Sequence, residues 1–230
     1  IEGGIPVYQK TGCIAAGIIS YRGYALHNFR RSLGILLNTT EDPEVRWSSA
    51  YALYRSGAPS EFSVLVDVLS RDDALSRYFS LKAQGTVISY LKSPQAQQFA
   101  NTPTVKSILE VVNSREYIQS LVTMLGDSSW FVRQAALEVV DKFKPAPLQD
   151  FISLMIDDPN PHIRKSSITT TASYATTFSI TFLKNIVENR QDWRESGWAL
   201  VQLADLDRSY TLNMITNKIS SLSWPENYYF

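Results

Sequence analysis

The chain has 230 residues, 44% of them hydrophobic and 12% aromatic, enough apolar material for a sizeable core and too little charge for a disordered segment. Lysine plus arginine and aspartate plus glutamate stand at 22 each, so no overall field draws the chain to nucleic acid or anionic lipid. The single Cys13 excludes an internal disulfide. With only two histidines beside it, a structural zinc site of nitrogen and sulfur ligands is excluded too, and no cofactor is expected.

In chain order, the first apolar stretch is "CIAAGIIS" (13–20), far shorter than the roughly 20 residues that span a bilayer, so no membrane span is expected. A chain opening at Ile1 reads as a processed form or an excised piece, with any targeting signal outside it. Next comes "HNFRRSLGILL" (27–37), followed by the tripeptide Asn38-Thr39-Thr40, which fits the N-glycosylation pattern. "TEDPEVRWSSAYAL" (40–53) follows, and its phrasing returns as "DSSWFVRQAALEVV" (127–140) and "DPNPHIRKSSITTT" (158–171).

Aligned on Arg46, Arg133 and Arg164, these phrases expose a repeat. Arg77 lies 31 residues after Arg46, Arg164 lies 31 after Arg133, and Arg194 lies 30 after Arg164. The interval from Arg77 to Arg133 is 56 residues, one repeat plus about 25 more, which places an insertion within 93–115, where Pro94 and Pro103 bracket a polar stretch. Asp42-Pro43, Ser129-Trp130 and Asn160-Pro161 each stand four and three residues before the arginine. A cap side chain there accepts free amide protons, and proline at the first helical position lacks the proton that would otherwise be orphaned. Val45, Ser49 and Leu53 then recur at i, i+4 and i+8, as do Val132, Ala136 and Val140, each giving an apolar helix face with small residues at close approaches. Gly57 supplies a left-handed end. Before the arginine helices lie the apolar segments 27–37, 60–69, 115–125, 147–156 and 180–189.

The unit is therefore helix, turn, helix. A pair this small cannot bury its apolar face alone, so successive pairs must stack. The expectation is an all-α fold, an α-solenoid of about five to six stacked antiparallel helix pairs with a period near 31 residues, spanning 1–230 as a single domain. The segment "TGCIAAGIISYRG" (11–23) reads as the second helix of an earlier pair. The aromatic tail "SLSWPENYYF" (221–230) either covers the end of the stack or runs on into a further domain.

A capped hairpin of this length whose second helix opens "D-x-x-x-V-R-x-x-A" resembles the HEAT repeat family, particularly its short bacterial form. The resemblance is specific at 40–57, 127–142 and 158–168 and weaker at 71–91 and 178–204. It implies that Arg46, Arg133 and Arg164 pair with aspartates such as Asp127 and Asp158 in adjacent turns, forming a ladder between units. Arg71 stands where Arg77 would need its aspartate, so the ladder is expected to break there. The resemblance also implies that second helices line the concave surface.

On that surface, the positions one and five after each anchor are Trp47 and Tyr51, Tyr78 and Lys82, Gln134 and Glu138, Lys165 and Thr169, with Arg55 extending the first row. Large aromatics and arginine are common interface anchors. Trp47, Tyr51, Arg55 and Tyr78, with Lys82, Gln134, Glu138 and Lys165, are the candidate partner-binding residues. The opposing reading, that Trp47 and Tyr51 cover a seam between repeats, stays open. Trp130 is expected to staple a turn, and Trp193 and Trp198 to pack within the last pair.

No catalytic signature appears. The paired carboxylates Glu41-Asp42, Asp72-Asp73 and Asp157-Asp158 sit where helix caps need acids. His27 and His162 have no nucleophile at a telling spacing, and no Gly-Lys-Ser or Gly-Lys-Thr follows the glycines at 3, 4, 12 and 17. Three functions are compared. The first is a non-catalytic scaffold binding a protein or peptide. The second is an accessory repeat region of a larger enzyme, since 19–37, 42–57 and 127–140 resemble the helical region preceding a cyclophilin-type prolyl isomerase domain in some exported bacterial proteins. That would imply an extracytoplasmic location, which the residues themselves leave undetermined. The third, a helical-repeat DNA glycosylase, is disfavoured because a duplex-binding cleft needs an excess of lysine and arginine, whereas here Glu138 accompanies Lys82 and Lys165.

Overall fold

A computed structural model of the chain describes residues 5–23, 27–57 and 59–218. The expectations for the tail 221–230 and for the side chain of His27 lie outside the described residues. All regular structure among them is helical. The chain divides into two compact units, Ile1–Phe143 and Lys144–Phe230.

In the first unit, α1 (Pro6–Tyr21), α3 (Pro43–Ser56), α5 (Ala74–Leu91) and α8 (Trp130–Phe143) lie side by side as one layer. The other layer holds α2 (His27–Thr39), α4 (Phe62–Asp67) and α7 (Arg115–Leu125), the first helices of the pairs. The segment 11–23 thus holds the place of a second helix, as its sequence suggests. Its Cys13, Ala16 and Gly17 are buried. A Cβ at Gly17 would stand 2.5 Å from the Tyr51 ring, so the glycine is what lets α3 come this close. The core between the layers gathers Leu33, Leu37, Leu53, Leu65 and Val68.

The insertion is ordered structure, not loop. Pro94–Phe99 form a 3₁₀ turn and Pro103–Val112 form α6, capped by Thr102, whose hydroxyl accepts from the Val105 amide. The helix buries Ile108 and Val112 against the first-helix layer beside α4 and α7, which leaves α5 and α8 in direct contact.

In the second unit, α9 (Gln149–Leu154) pairs with α10 (Pro161–Ser173) and α11 (Thr177–Asn189) with α12 (Trp193–Leu206), followed by α13 (Arg208–Lys218). Ile168, Leu183, Ile186, Ala199 and Leu203 form its core, and Trp198 packs against them as expected. In two repeats the first helix is not a plain α-helix: α4 and α9 are each six residues long, with a three-residue 3₁₀ turn on both sides. Pro59 and Pro147 lie in the leading turns and lack the amide that an earlier start would use.

The helix starts follow their sequence signals. Asp42 accepts from the Glu44 and Val45 amides at 2.8 and 3.3 Å, and Asn160 from the His162 amide at 2.9 Å, with Pro43 and Pro161 first in their helices. Gly57 ends α3 at φ 56°. The same left-handed conformation recurs at Lys144 and Ala175, each eleven residues after its anchor arginine as Gly57 is after Arg46.

The anchor arginines perform one task throughout. Arg46, Arg77, Arg133 and Arg164 each donate to the carbonyl six residues before them, at 3.2, 2.7, 2.7 and 3.0 Å, closing the turn that leads into their own helix. Three of them also reach into the next repeat of their own unit. Arg46 reaches Asp73 at 2.6 Å, Arg77 reaches Asp127 at 2.7 Å, and Arg164 reaches Glu195 at 2.6 Å. The expected break at Arg77 does not occur. Its partner lies beyond the insertion, and Arg71 serves through its backbone carbonyl, which any residue would supply. Arg194 pairs with Asp192 in its own turn, and Arg190 joins Arg164 on the buried Glu195.

Candidate functional site

The exposed edge of the second-helix layer in the first unit carries a continuous aromatic row. Trp47 stacks on Phe79 at 6.0 Å, Tyr51 meets the same ring edge-on at 5.3 Å, and Tyr78 meets it at 5.0 Å. Tyr78 also meets Phe131 at 5.6 Å, and Phe131 meets Trp130 at 6.2 Å. Such edge-to-face and offset contacts follow the ring quadrupoles and hold the side chains in single orientations. Trp47, Tyr51 and Tyr78 are half-buried, whereas Trp130, expected to staple a turn, is 48% exposed.

Cations sit over the row. Lys10 Nζ lies 5.6 Å from the Trp47 ring and bridges to Glu44 at 2.5 Å. The Lys10 hydrogen bond, followed by the Trp47 side chain, holds the Glu44 carboxyl below its usual range. The Arg55 guanidinium lies 3.6 Å above the Tyr21 ring, with Tyr51 and Tyr54 at 5.8 and 5.7 Å. Lys82 bridges to Glu138 at 2.5 Å across α5 and α8. Burial pulls the Lys82 ammonium down, but the carboxylate outweighs it and leaves the lysine above its ordinary value.

Seven of the eight candidate residues therefore lie on three neighbouring helices of one unit: Trp47, Tyr51 and Arg55 on α3, Tyr78 and Lys82 on α5, Gln134 and Glu138 on α8. Lys165 belongs to the second unit, where its ammonium lies 5.5 Å from the Trp198 ring. Tyr51 fills the space left by Gly17 and so packs the seam between α1 and α3 while keeping one edge accessible. Sequence reasoning missed Phe79, the ring around which the row is organised, and also Tyr21, Tyr54 and Phe131. Tyr54 was within reach, at eight after the anchor on the same helix face. Phe79 was not, since at two after the anchor it points towards α3 and only the packing of α5 on α3 makes it central.

The paired carboxylates have structural partners. Asp73 caps α5 and binds Arg46, Asp157 binds Arg190, and Asp158 accepts from the Asn160 amide at 2.8 Å. Among the described residues no group of three or more histidine, cysteine or acidic side chains is placed to hold a metal, and no helix is long and apolar enough to cross a membrane.

No protein-family model matches the chain, and no curated protein matches it. Solved structures do. A designed armadillo repeat protein superposes with a TM-score of 0.60 at 14% identity, over 90% of this chain and 96% of its own. An engineered protein superposes with a TM-score of 0.59 at 14% identity, over 89% and 93%. The protein is a helical-repeat α-solenoid. At this identity the likeness is one of fold alone.

Proposed function

We propose that the protein is a non-catalytic scaffold of HEAT-type repeats that binds a protein or peptide on the second-helix face of residues 6–143. The observation that carries this reading is the aromatic row from Tyr21 through Tyr51, Trp47, Phe79 and Tyr78 to Trp130, which stays partly open to solvent although rings of this size normally dominate cores and interfaces. The rings are preoriented by one another, so a partner meets them at little ordering cost. The repeat type is supported by the arginine–acid ladder, in which one arginine closes its own turn and reaches the next unit.

The test is retention of a specific partner by the chain and by a Trp47→Ala variant with unchanged thermal stability. Loss of the partner in the variant supports the reading; equal retention, or no partner at all, ends it. The alternative of an arm serving a cyclophilin-type isomerase rests on the sequence resemblance at 19–37, 42–57 and 127–140. Proline isomerisation by a longer form, with no partner held by this chain, would establish that arm instead.

A further inference from the structure

We propose that the second-helix face of residues 6–143 recognises an acidic peptide segment, one carrying two carboxylates about five or six residues apart with an apolar side chain between them. This rests on the binding function proposed above and names the chemistry of its partner. The site runs along the row nine residues after each anchor: Arg55 on α3, Thr86 on α5 and Lys142 on α8. Arg55 and Lys142 differ from the other cations of this face in what they lack. Lys10 is bound to Glu44 and Lys82 to Glu138, whereas neither Arg55 nor Lys142 has a carboxylate within ion-pairing distance among the described residues. The acids nearest Lys142 on its own helix are Asp141 beside it and Glu138 one turn back, and Glu138 is engaged by Lys82.

Arg55 is preorganised as well as unpaired. Its guanidinium carbon lies 3.6 Å from the centre of the Tyr21 ring, a contact that restrains the side chain, and Nε is buried without a hydrogen-bond partner. A stacked, unpaired guanidinium matches a carboxylate through two parallel hydrogen bonds. Thr86, the middle member of the row, lines a cavity of 280 Å³ together with Val87 and Tyr90 of α5 and with Gly57, Pro59 and Arg30. Val87 and Tyr90 make it apolar, which suits a buried side chain of the peptide. Arg30 is a third cation with no carboxylate paired to it among the described residues: it donates to the Ser56 carbonyl, and its Nε is buried and unpartnered.

The spacing follows from the layer. Lys142 leans over Gly85 of α5, its Nζ 3.3 Å from where a Cβ would stand, while Arg55 leans towards α1, so two interhelical spacings separate the charges. At about 9 Å each that is about 18 Å, the reach of five or six extended residues at about 3.3 Å apiece.

The experiment is selection of a random peptide library on the full chain, followed by titration of the best peptides. Enriched sequences should carry acid pairs at the stated spacing around an apolar residue. Replacing either acid by glutamine should weaken binding about tenfold, as should Arg55→Gln or Lys142→Gln, with Arg55→Lys intermediate because it keeps the charge but loses the fork. Enriched peptides without acid pairs that bind Arg55→Gln as tightly as the unaltered chain overturn the proposal. If those peptides still lose affinity in Trp47→Ala, the face binds peptides and only its preference for acids is wrong. If Trp47→Ala binds them equally, or nothing is enriched, the binding function falls as well.

Discussion

Arg77 and Asp127 are separated by 50 residues and a complete inserted helix, yet Arg77 Nε lies 2.7 Å from Asp127 Oδ2. Both side chains are about nine-tenths buried, at 11% and 5% exposure. Asp127 also accepts from the Ser129 amide through its other oxygen and offers its backbone carbonyl to Arg133, so one residue joins two turns. The insertion is thereby looped out of the ladder without cutting it.

Truncating that aspartate leaves a buried guanidinium with a single carbonyl partner. Asp127→Ala is expected to cost about 3–5 kcal/mol in chemical denaturation. Asp127→Asn keeps an acceptor and costs less. In a double-mutant cycle with Arg77→Met, the two losses should fall well short of additive, since the second change removes the stranded charge. Additive losses would mean that the pair contributes nothing as a pair.

How far the sequence carries this architecture can be judged residue by residue. Asp42, Pro43, Asn160 and Gly57 announce their helix ends because capping chemistry acts over two to four residues, a distance the sequence displays. The partner of Arg77 was hidden because pairing across an insertion depends on where the chain returns. The left-handed positions at Lys144 and Ala175 were hidden because neither is glycine. The candidate residues could be placed on second helices from the sequence, but the organisation of their rings around Phe79 and the seating of Tyr51 on Gly17 depend on how neighbouring helices pack.

A second tie spans the insertion. Tyr117 on α7 donates to Gln84 Oε1 at 2.9 Å, and Gln84 Nε2 donates to the Leu65 carbonyl at 2.9 Å, all three residues being buried. Burial drives the Tyr117 hydroxyl well above its ordinary value, so it remains a donor at any working pH. Tyr117→Phe fits the same space and strands the Gln84 oxygen. The expected loss is about 1–3 kcal/mol, read from denaturant midpoints with an unchanged slope. A neutral substitution would show that Gln84 finds another donor.

Left-handed backbone at a residue with a Cβ stores strain that glycine relieves. At Ala175, φ 52°, the relief of about 1–2 kcal/mol exceeds the added freedom of the unfolded glycine chain. Ala175→Gly should therefore raise stability by about 0.5–1 kcal/mol, and Gly57→Ala should lower it by a similar amount. Lys144 is the poorer site for this test, because its ammonium donates to the Ser173 carbonyl at 2.7 Å and would be lost with the side chain. A thermal midpoint that falls in Ala175→Gly would contradict the argument.

Acid stability of the second unit turns on Asp192. Its carboxyl is held below the usual range, first by the Arg194 hydrogen bond, against the opposing effect of burial, and then by the charge of Arg164. A carboxyl depressed on folding contributes stability that is present above its unfolded value, near 3.8, and is lost as the pH falls through the lower folded value. Asp192 is also the cap of α12, accepting from the Arg194 amide at 3.0 Å, and asparagine caps equally well. Asp192→Asn therefore removes the charge while preserving the helix start. The variant should melt lower than the unaltered chain at neutral pH, and the gap should narrow as the medium is taken to about pH 3 and below. A gap that stays constant across the titration would mean that the Asp192 charge has no part in acid unfolding.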